Sequence, residues 1–545
     1  MTLFEQILTA RGLTTWAARQ AFLQPDYMAV KHDPFLLPDM KKAVARLKQA
    51  REQGEKIVIY GDYDIDGLSA TALLLDAFDK FGFEDVDAFI PNRFVEGYGM
   101  TMGAVDKVRD MGADLIVTVD TGSLCHAEIA YATNLGIDTV VTDHHNVAET
   151  PPPSVAAVNP KFPGHTYPFR DLCGAGVAFK LVQALQTELD GLPDGYEKWL
   201  LDLVALGTVC DIVTLADENR ANVYWGLEVL KKQQRPGLKA LMAVAGIEPE
   251  QVNARHLGFG LGPRMNAAGR LETAQHALDM LVARDGLVAL EASEKLEELN
   301  GKRRIIQDAI FEEACVQAEQ LADDRVLVVS SDGWNHGVIG IVASKLVEKY
   351  KKPVFIIGER GEEATGSARS FGDFSAADAV RAADDIIIKG GGHGAAAGVT
   401  LETEKIGDFR RRVNEFYDSL QLTNQERYLL PRADVEIDDF SEIDEELVAN
   451  LAKMEPFGNG NPEPVLKITR ASVLSMRRMG ADGQHVKLAL RDKNSKVLQM
   501  LAFNAPEEFF REPGDEVVAW FQPTVNEWQG VRTVEGRLLH IILLD

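Results

Sequence analysis

The stretch IVIYGDYDIDG, from Ile57 to Gly67, decides how the first part of this chain folds. It opens with apolar and β-branched residues, which favour a buried strand. It then places three carboxylates at alternate positions, Asp62, Asp64 and Asp66. A buried strand that ends in three like charges is unfavourable unless a cation lies beside them. The stretch therefore predicts a strand end that binds positive charge.

The same pattern continues outward along the chain. The helical segment SATALLLDAFDKFG follows directly, then the strand ADLIVTVD with the helix LCHAEIAYATNLG, and then the strand IDTVVTD. Alternating strands and helices indicate a parallel sheet with right-handed crossovers. The proline-rich segment TPPPSVAAVNPKFPGHTYPF is expected to be a connection, and WLLDLVALGTVCDIVTL an apolar helix that ends near Asp211.

The rest of the chain has three further parts. Residues 219–310 are expected to be mainly helical, interrupted by the glycine-rich HLGFGLGPRMNAAGR, and a second α/β pattern runs from DRVLVVSSDGW to the helix KIGDFRRRVNEFYDSL. Short alternating segments after residue 425 indicate a small β-barrel. We predict an α/β protein with two lobes joined by helices and followed by an all-β barrel, with bounds at 1–218, 219–310, 311–420 and 425–545.

The composition restricts the function without identifying it. Lys and Arg number 57 against 83 Asp and Glu, a net charge of −26. This argues against nonspecific nucleic-acid binding, although bound metal or a local basic channel can override the overall sign. The four scattered cysteines lack zinc spacing and indicate free thiols in a reducing cytosol. Since no apolar run suits a membrane span and the N-terminus has no secretory pattern, a cytoplasmic location and no membrane association are expected.

Residues of the types that bind metals follow three separate strands and one helix. The set is Asp62, Asp64, Asp66, Asp120, Asp143, His144, His145 and Asp211. Because the carboxyl ends of parallel strands share one edge of a sheet, these side chains should converge. Carboxylates with one or two imidazoles suit Mn²⁺ or Mg²⁺, and two such ions about 3.5–4 Å apart support in-line phosphoryl displacement. Asp62 or Asp143 alone could be only a turn or N-cap residue, but the whole set favours metal.

Several other motifs have residues that could bind an anion. The stretch GGGHGAAAG, residues 390–398, offers backbone amides beside His393, although a tight turn explains the same glycines. Arginines and one serine stand in or beside TGSARSF, GLGPRMNAAGR and PNRFVEGYG. An isolated arginine is usually solvated or salt-bridged, so each remains a candidate only.

In their order along the chain, the motifs DYDIDG, VTVDTG, VTDHH, GTVCDIVTL and GGGHGAAAG resemble the DHH phosphoesterase superfamily with a DHHA1-type domain. The segments NPKFPGHTYPFRDLCGAGVAFKL and GPRMNAAGRL are similar to its RecJ branch of single-strand exonucleases. The resemblance covers nearly the whole chain and implies an OB-fold for the terminal barrel. It further implies 5′→3′ degradation of single-stranded DNA to mononucleotides in recombination and repair, by a monomer whose further partners are a helicase and a single-strand binding protein.

The resemblance also implies roles for individual residues. It implies that the ligands of two Mn²⁺ or Mg²⁺ ions are Asp62, Asp64, Asp66, Asp120, His144 and Asp211, although many relatives have histidine in the place of Asp62. The implied catalytic residues are Asp143, His145 and His393, with His145 against phosphate and His393 near the scissile group. The resemblance also implies a 5′-phosphate pocket formed by Arg93, Arg270, Ser367 and Arg369. From the glycine-rich motifs themselves, Arg264, Gly391 and Gly392 are further predicted substrate-binding residues. Thr121 and Cys210 stand where the family commonly has Asn and Ala, and neither change removes a ligand.

Two other functions fit part of this pattern. One is a small-substrate phosphoesterase of the same superfamily, acting on short oligonucleotides, cyclic dinucleotides or pyrophosphate, but such enzymes usually lack the helical bridge and the barrel. The other is a non-catalytic DNA-binding scaffold, which would have no use for so many costly buried acids.

The C-terminal part has a charge pattern of its own. Between Val465 and Met500, eight basic residues stand against only Asp482 and Asp492, a local net charge of +6. Three aromatic residues follow, Trp520, Phe521 and Trp528, of which the first two are expected in the barrel core. Small barrels hold single strands with basic grooves and aromatic platforms, so the barrel is predicted to hold the strand.

Overall fold

The first lobe is built on a five-stranded sheet. The structure is a computed structural model and describes residues 1–97 and 99–544. The strands of the sheet are all parallel in the order β2-β1-β3-β4-β5, which confirms the predicted parallel lobe. The strands are β1 (Ile57–Gly61), β2 (Val86–Phe89), β3 (Leu115–Val119), β4 (Asp138–Thr142) and β5 (Ala156–Val158). The helices up to the end of this lobe are α1 (Leu3–Ala10), α2 (Trp16–Leu23), α3 (Tyr27–Val30), α4 (Met40–Gln53), α5 (Ile65–Phe81), α6 (Met102–Asp110), α7 (His126–Asn134), α8 (Gly174–Leu185) and α9 (Leu201–Cys210).

Strand β1 is central because both of its faces are covered. Ile57 and Ile59 point into one apolar cluster, and Val58 and Tyr60 point into another on the opposite face of the sheet. A strand buried on both faces has a continuous rather than alternating apolar sequence. This explains why the first half of IVIYGDYDIDG is almost wholly apolar.

The proline-rich segment predicted to be only a connection contains a strand. Residues Ala156–Val158 form β5, which pairs in parallel with β4 at the sheet edge. The prediction was wrong at this point because three buried residues between prolines give too short an apolar run to stand out. The edge strand β2 was also missed, and its residues are half-buried or exposed.

Helices connect the two lobes. They are α10 (Asp217–Lys231), α11 (Pro236–Val244), α12 (Gly262–Leu271), α13 (Gln275–Val282) and α14 (Gly286–Gln320). The glycine-rich stretch is not an interruption, because His256–Leu261 forms a π-helix that runs directly into α12. Gly262 is required there, since a Cβ atom would lie 2.9 Å from the carbonyl oxygen of Leu257 and 3.0 Å from the sulfur of Cys210. The bound predicted at residue 310 falls inside α14.

The second lobe has a mixed five-stranded sheet in the order β6-β7-β8-β10-β9. Only β6 and β7 pair in parallel; the other neighbours are antiparallel. The strands are β6 (Leu327–Asp332), β7 (Val354–Arg360), β8 (Glu363–Arg369), β9 (Ile387–Gly392) and β10 (Ala396–Glu402), and the helices are α15 (Ile339–Tyr350), α16 (Ala376–Arg381) and α17 (Ile406–Ser419). This confirms the second α/β lobe.

The C-terminal part is the predicted barrel. Strand β12 pairs with β13 on one side and with β15 on the other, which closes the sheet. Its elements are β11 (Val435–Ile437), α18 (Glu445–Ala452), β12 (Leu466–Met479), β13 (His485–Arg491), β14 (Val497–Ala502), β15 (Glu516–Trp528) and β16 (Val531–Leu543).

The N-terminal helix α1 packs in the core of this barrel rather than in the first lobe. The buried side chains of Leu3, Ile7 and Leu8 belong to the same apolar cluster as the barrel residues. Arg11 then forms an ion pair with Asp434, with 2.7 Å between Nε and Oδ1. Residues near both ends of the chain thus share one core, whereas the predicted bounds place 1–218 together. The bounds themselves stay a prediction.

The helices of the described residues include none that is long and apolar enough to cross a membrane.

Candidate active site

The ends of β1, β3 and β4 meet at one edge of the first sheet and bring the predicted ligands together. The structure places them in three overlapping groups whose possible ligand atoms lie within 4.8 Å of one another. The groups are Asp62, Asp64 and Asp120; Asp66, His144 and Asp211; and Asp120, His144 and His145. All six residues predicted to bind metal are therefore in one cluster.

Local backbone contacts fix the acidic side chains of the cluster. Asp64 is the N-cap of α5, where its Oδ1 accepts hydrogen bonds from the amides of Asp66 and Gly67. Asp66 accepts hydrogen bonds from the amides of Gly174 and Ala175 at the start of α8. A Cβ atom on Gly174 would lie 2.6 Å from Cβ of Asp120, so only glycine fits beside that carboxylate. The acidic cluster therefore depends on helix termini packed closely against it.

The electrostatics of the cluster favour a cation. Burial and mutual repulsion raise the pKa values of four carboxyl groups above their ordinary range: Asp62, Asp66, Asp120 and Asp211. Nε2 of His144 lies 3.0 Å from Oδ1 of Asp120, yet neither atom has a hydrogen-bond partner among the described residues. Buried polar atoms without partners are costly. Carboxylates with imidazole suit Mn²⁺ or Mg²⁺, so the donor set fits the predicted ions.

The two histidines of DHH have different roles. Burial and the charge of His145 lower the pKa of His144 to about 3, which keeps it neutral, as a metal ligand must be. Burial also lowers the pKa of His145, but its hydrogen bond to Asp143 and the nearby carboxylates raise it to about 9. The carboxylate of Asp143 therefore favours the protonated form of His145.

Asp143 lies behind the cluster and does not belong to the groups of possible ligands. Its carboxylate accepts hydrogen bonds from the amides of Ser123, His144 and His145 and from Nδ1 of His145. Burial raises the pKa of Asp143, but these bonds outweigh burial and hold it well below the usual range. Asp143 therefore positions the two histidines.

Four guanidinium groups converge beside the acidic cluster. Burial and the charges of Arg93, Arg303 and Arg369 lower the pKa of Arg270 to about 10. Arg93 lies over the ring of Tyr63, 4.3 Å from its centroid, and Tyr63 stands between two of the clustered aspartates. The four arginines come from the first lobe, the helical bridge and the second lobe, and an anion bound among them would relieve the repulsion between these like charges.

Ser367 also belongs to this arginine cluster. Nη1 of Arg369 donates to its hydroxyl oxygen over 3.2 Å, and both side chains face Gly340 in the first turn of α15. Arg303 was missed from the sequence. Its guanidinium donates to Asn300 and Gln307, two buried amides on the same face of α14. The amide residues three before and four after this arginine share its face of the helix, and that spacing is the signal that could have identified it.

The remaining predicted substrate residues have different surroundings. Arg264 forms an ion pair with Glu297 on α14, with 2.5 Å between Nε and Oε2. Gly391 and Gly392 are exposed at the end of β9, and His393 is exposed in the turn between β9 and β10. The glycine-rich stretch is thus an edge hairpin, and the roles of these residues stay predictions.

The two departures from the family pattern leave the cluster intact. Thr121 is buried, and its carbonyl oxygen accepts a hydrogen bond from Thr118. Cys210 packs against Gly262 and Leu257. Burial raises the pKa of this thiol well above its ordinary value. It is therefore a protonated packing residue.

The barrel is less basic than its central segment suggested. Acidic residues from outside that segment pair with Lys467, Arg470, Arg478, Lys487 and Lys493. Residues 433–540 carry 12 Lys and Arg against 19 Asp and Glu, a net charge of −7.

The aromatic residues of the barrel are only partly as predicted. Phe521 lies in the core, as expected. Trp520 does not, because neighbouring residues of a strand point to opposite faces. Its half-buried ring contacts Lys467 and His540.

Comparison with known proteins agrees with this architecture. Family models for the DHH family N-terminal domain, the DHHA1 domain and the RecJ OB domain match residues 56–208, 323–419 and 433–540. The chain is 39% identical to the single-stranded-DNA-specific exonuclease RecJ of Bacillus subtilis over 96% of its own length but 66% of that protein. It is 35% identical to RecJ of Dickeya dadantii, with 93% of this chain and 91% of that protein covered.

A solved structure is similar over almost the whole chain. It is that of RecJ from Thermus thermophilus in complex with Mn²⁺, with a TM-score of 0.84 and 30% sequence identity. The match covers 99% of this chain and 76% of that one.

Proposed function

The chain belongs to the RecJ family of single-stranded-DNA-specific exonucleases, and from this premise we propose that it removes mononucleotides from the 5′ end of single-stranded DNA. One observation carries the proposal. The metal-binding cluster and the arginine cluster meet at the stacked pair of Tyr63 and Arg93. A site with both is suited to hydrolyse a phosphodiester next to a bound terminal phosphate.

The ions would be Mn²⁺ or Mg²⁺, two in number, held by Asp62, Asp64, Asp66, Asp120, His144 and Asp211. When bound, two such ions supply Lewis-acid stabilisation of phosphoryl oxygens and a lowered pKa for the attacking water. The residues of this chain keep the ligands in place: α8 fixes Asp66, and the start of α5 fixes Asp64.

His145 is proposed to contact the scissile phosphate. Its raised pKa makes it a cation that can donate a hydrogen bond to a phosphoryl oxygen. Asp143 is proposed as a positioning residue, since its Oδ1 accepts a hydrogen bond from Nδ1 of His145 over 2.9 Å and so fixes the orientation of the ring. His393 remains a proposed substrate contact from the second lobe.

The arginine cluster is proposed to select the 5′ end. A terminal phosphate carries more negative charge than an internal diester, and guanidinium groups bind its oxygens in pairs. Arg93, Arg270, Arg303 and Arg369 with Ser367 would hold that phosphate. A terminal phosphate held at a fixed place beside the metal cluster makes each cut release one nucleotide.

We also propose a monomer that acts in the cytoplasm, in recombination and repair, on strands presented by a helicase or a single-strand binding protein. Four free cysteines support a reducing compartment. The barrel match supports single-strand binding by the C-terminal part.

The test uses single-stranded DNA labelled differently at its two ends, the matching blunt duplex, and a dinucleotide. Each is incubated with Mn²⁺, Mg²⁺ or a chelator. Release of the 5′ label first, from single strands only and only with metal, is the expected result. Release of the 3′ label first, or cleavage in chelator, would refute the proposal.

A further inference from the structure

Two large apolar side chains stand in the cleft that leads away from the arginine cluster. The cleft has a volume of about 790 Å³ and extends from Arg270 and Arg303 to the barrel loop 455–463. Phe259 and Ile212 line it and are 78% and 68% exposed. Exposed apolar groups of this size inside a cleft indicate a ligand surface.

Both side chains are held on irregular backbone. Phe259 lies in the π-helix His256–Leu261, a form that is rare and frequent at functional sites. Ile212 follows the proposed ligand Asp211 and has φ of 59°, which is exceptional for a β-branched residue. Nδ2 of Asn459 in the barrel loop donates to the carbonyl oxygen of Ile212 over 2.8 Å, which helps to maintain this conformation.

The chemistry of the cleft changes along its length. At one end guanidinium groups suit phosphate. At the other end the barrel loop brings the carboxylate of Glu455 and an ion pair between Glu463 and Arg537, with 2.7 Å between Oε2 and Nη2. The ion pair adds no net positive charge for phosphate, and the carboxylate of Glu455 repels a phosphate backbone but accepts hydrogen bonds from the amino groups of bases. The wall of Phe259 and Ile212 between these ends therefore suits the bases of a strand rather than its phosphates.

We propose that Phe259 and Ile212 form an apolar surface that packs against unpaired bases on the 3′ side of the nucleotide being removed. This inference rests on the proposed function, which places the 5′ phosphate at the arginine end of the cleft. Phe259 provides the stacking face. Arg255, 5.6 Å from the centre of its ring, adds a positive charge beside it.

The test compares Phe259→Ala and Phe259→Tyr with Trp16→Ala. Trp16 is 77% exposed and does not line the cleft. Binding to a 5′-phosphorylated oligonucleotide is measured in chelator at several salt concentrations. Phe259→Ala should weaken binding by about fivefold or more, the low end of what one stacked base contributes. The salt dependence should not change, because no ion pair is lost. Phe259→Tyr and Trp16→Ala should bind as the unchanged protein does.

A second measurement locates the contact. Oligonucleotides with a single abasic residue at successive positions from the 5′ end are digested by each protein. The unchanged protein should be slowed at one position or two neighbouring ones, and Phe259→Ala should lose that position dependence. Equal binding by Phe259→Ala and the unchanged protein, or the same abasic profile for both, would overturn the inference. If the unchanged protein did not digest single strands at all, the proposed function itself would fail instead.

Discussion

Replacing Asp120 by Asn should abolish hydrolysis and yet stabilise the metal-free protein. Asp120 has φ of 61°, a conformation that Asn adopts readily, so the backbone should not change. The amide has the shape of the carboxyl group without its charge. The substitution therefore removes one negative charge from a buried cluster, together with one proposed metal ligand.

The size of the effect follows from the distances in the cluster. The ligand atoms of Asp62, Asp64 and Asp120 lie within 4.8 Å of one another, and two charges 4.8 Å apart repel by about 3.5 kcal/mol at an effective dielectric constant of about 20. If Asp120 takes up a proton on folding, it avoids the repulsion. The loss of folding stability caused by its charge therefore cannot exceed about 1.4 kcal/mol for each pH unit above its ordinary pKa, or about 5.6 kcal/mol at pH 8. We expect a gain of about 3 kcal/mol at pH 8 in chelator, which corresponds to about 3 °C in Tm for unfolding of the whole chain of 545 residues.

The gain should depend on pH in a defined direction. Folding raises the pKa of Asp120, so the folded protein binds more protons than the unfolded chain between the two pKa values. The contribution of Asp120 to the free energy of unfolding is therefore complete below the pKa that it has in the unfolded chain, and it is lost as the pH rises. The difference in free energy of unfolding between Asp120→Asn and the unchanged protein should fall to about 1 kcal/mol near pH 5. At that pH the largest possible loss from the charge of Asp120 is only about 1.5 kcal/mol.

The assay is thermal unfolding in chelator from about pH 5 to pH 8, repeated with Mn²⁺, together with nucleotide release. Mn²⁺ should stabilise the unchanged protein more than the variant, because the variant lacks a ligand. Asp143→Asn is the matched control with opposite sign. The pKa of Asp143 is lowered on folding, so its stabilising effect is present above the unfolded pKa and is lost as pH falls. Its loss should destabilise the protein at pH 8. An Asp120→Asn protein that melts below the unchanged one in chelator at pH 8, or that still hydrolyses DNA, would refute the reasoning.

Three further results are expected. Arg369→Ala should reduce the preference for 5′-phosphate over 5′-hydroxyl ends by about tenfold or more, the effect of losing a hydrogen bond to a charged group; an equal loss for both ends would make this arginine a general backbone contact. Blunt duplex should resist digestion unless a helicase is added, because the cleft contacts the faces of unpaired bases, and efficient digestion of duplex alone would contradict this. Leu8→Ala should destabilise the barrel by about 2–5 kcal/mol in urea, whereas Trp16→Ala should not, and equal stability of the two variants would contradict the packing of α1 in the barrel core.

The convergence of the acidic residues and His144 was predictable because it depends on local sequence. Each acid of the cluster follows a buried strand or an apolar helix, and parallel strands carry their ends to one edge. The arginine cluster depends instead on tertiary structure. Arg303 belongs to a helix of 35 residues whose apolar pattern does not identify the face that meets the second lobe. Only the buried amides beside it distinguish that face.

The barrel shows two other limits of sequence analysis. A charge count over residues 465–500 could not include Glu436, Glu507, Glu516 and Glu535, which pair with its basic residues from outside. The expectation that both Trp520 and Phe521 enter the core ignored the alternation of a strand, which was available from the sequence. The packing of α1 had no such signal, because its partners lie more than 400 residues away.

The position of α1 has a consequence for synthesis of the chain on the ribosome. Leu3, Ile7 and Leu8 are synthesised about 430 residues before the strands that cover them. At about 5–20 residues per second, this apolar face waits for roughly 20–90 s without its partner. During that interval it resembles the exposed surface that chaperones bind. A ribosome that stops before the barrel is made leaves this face without its partner, so an incomplete copy keeps exposed an apolar surface that the folded protein buries.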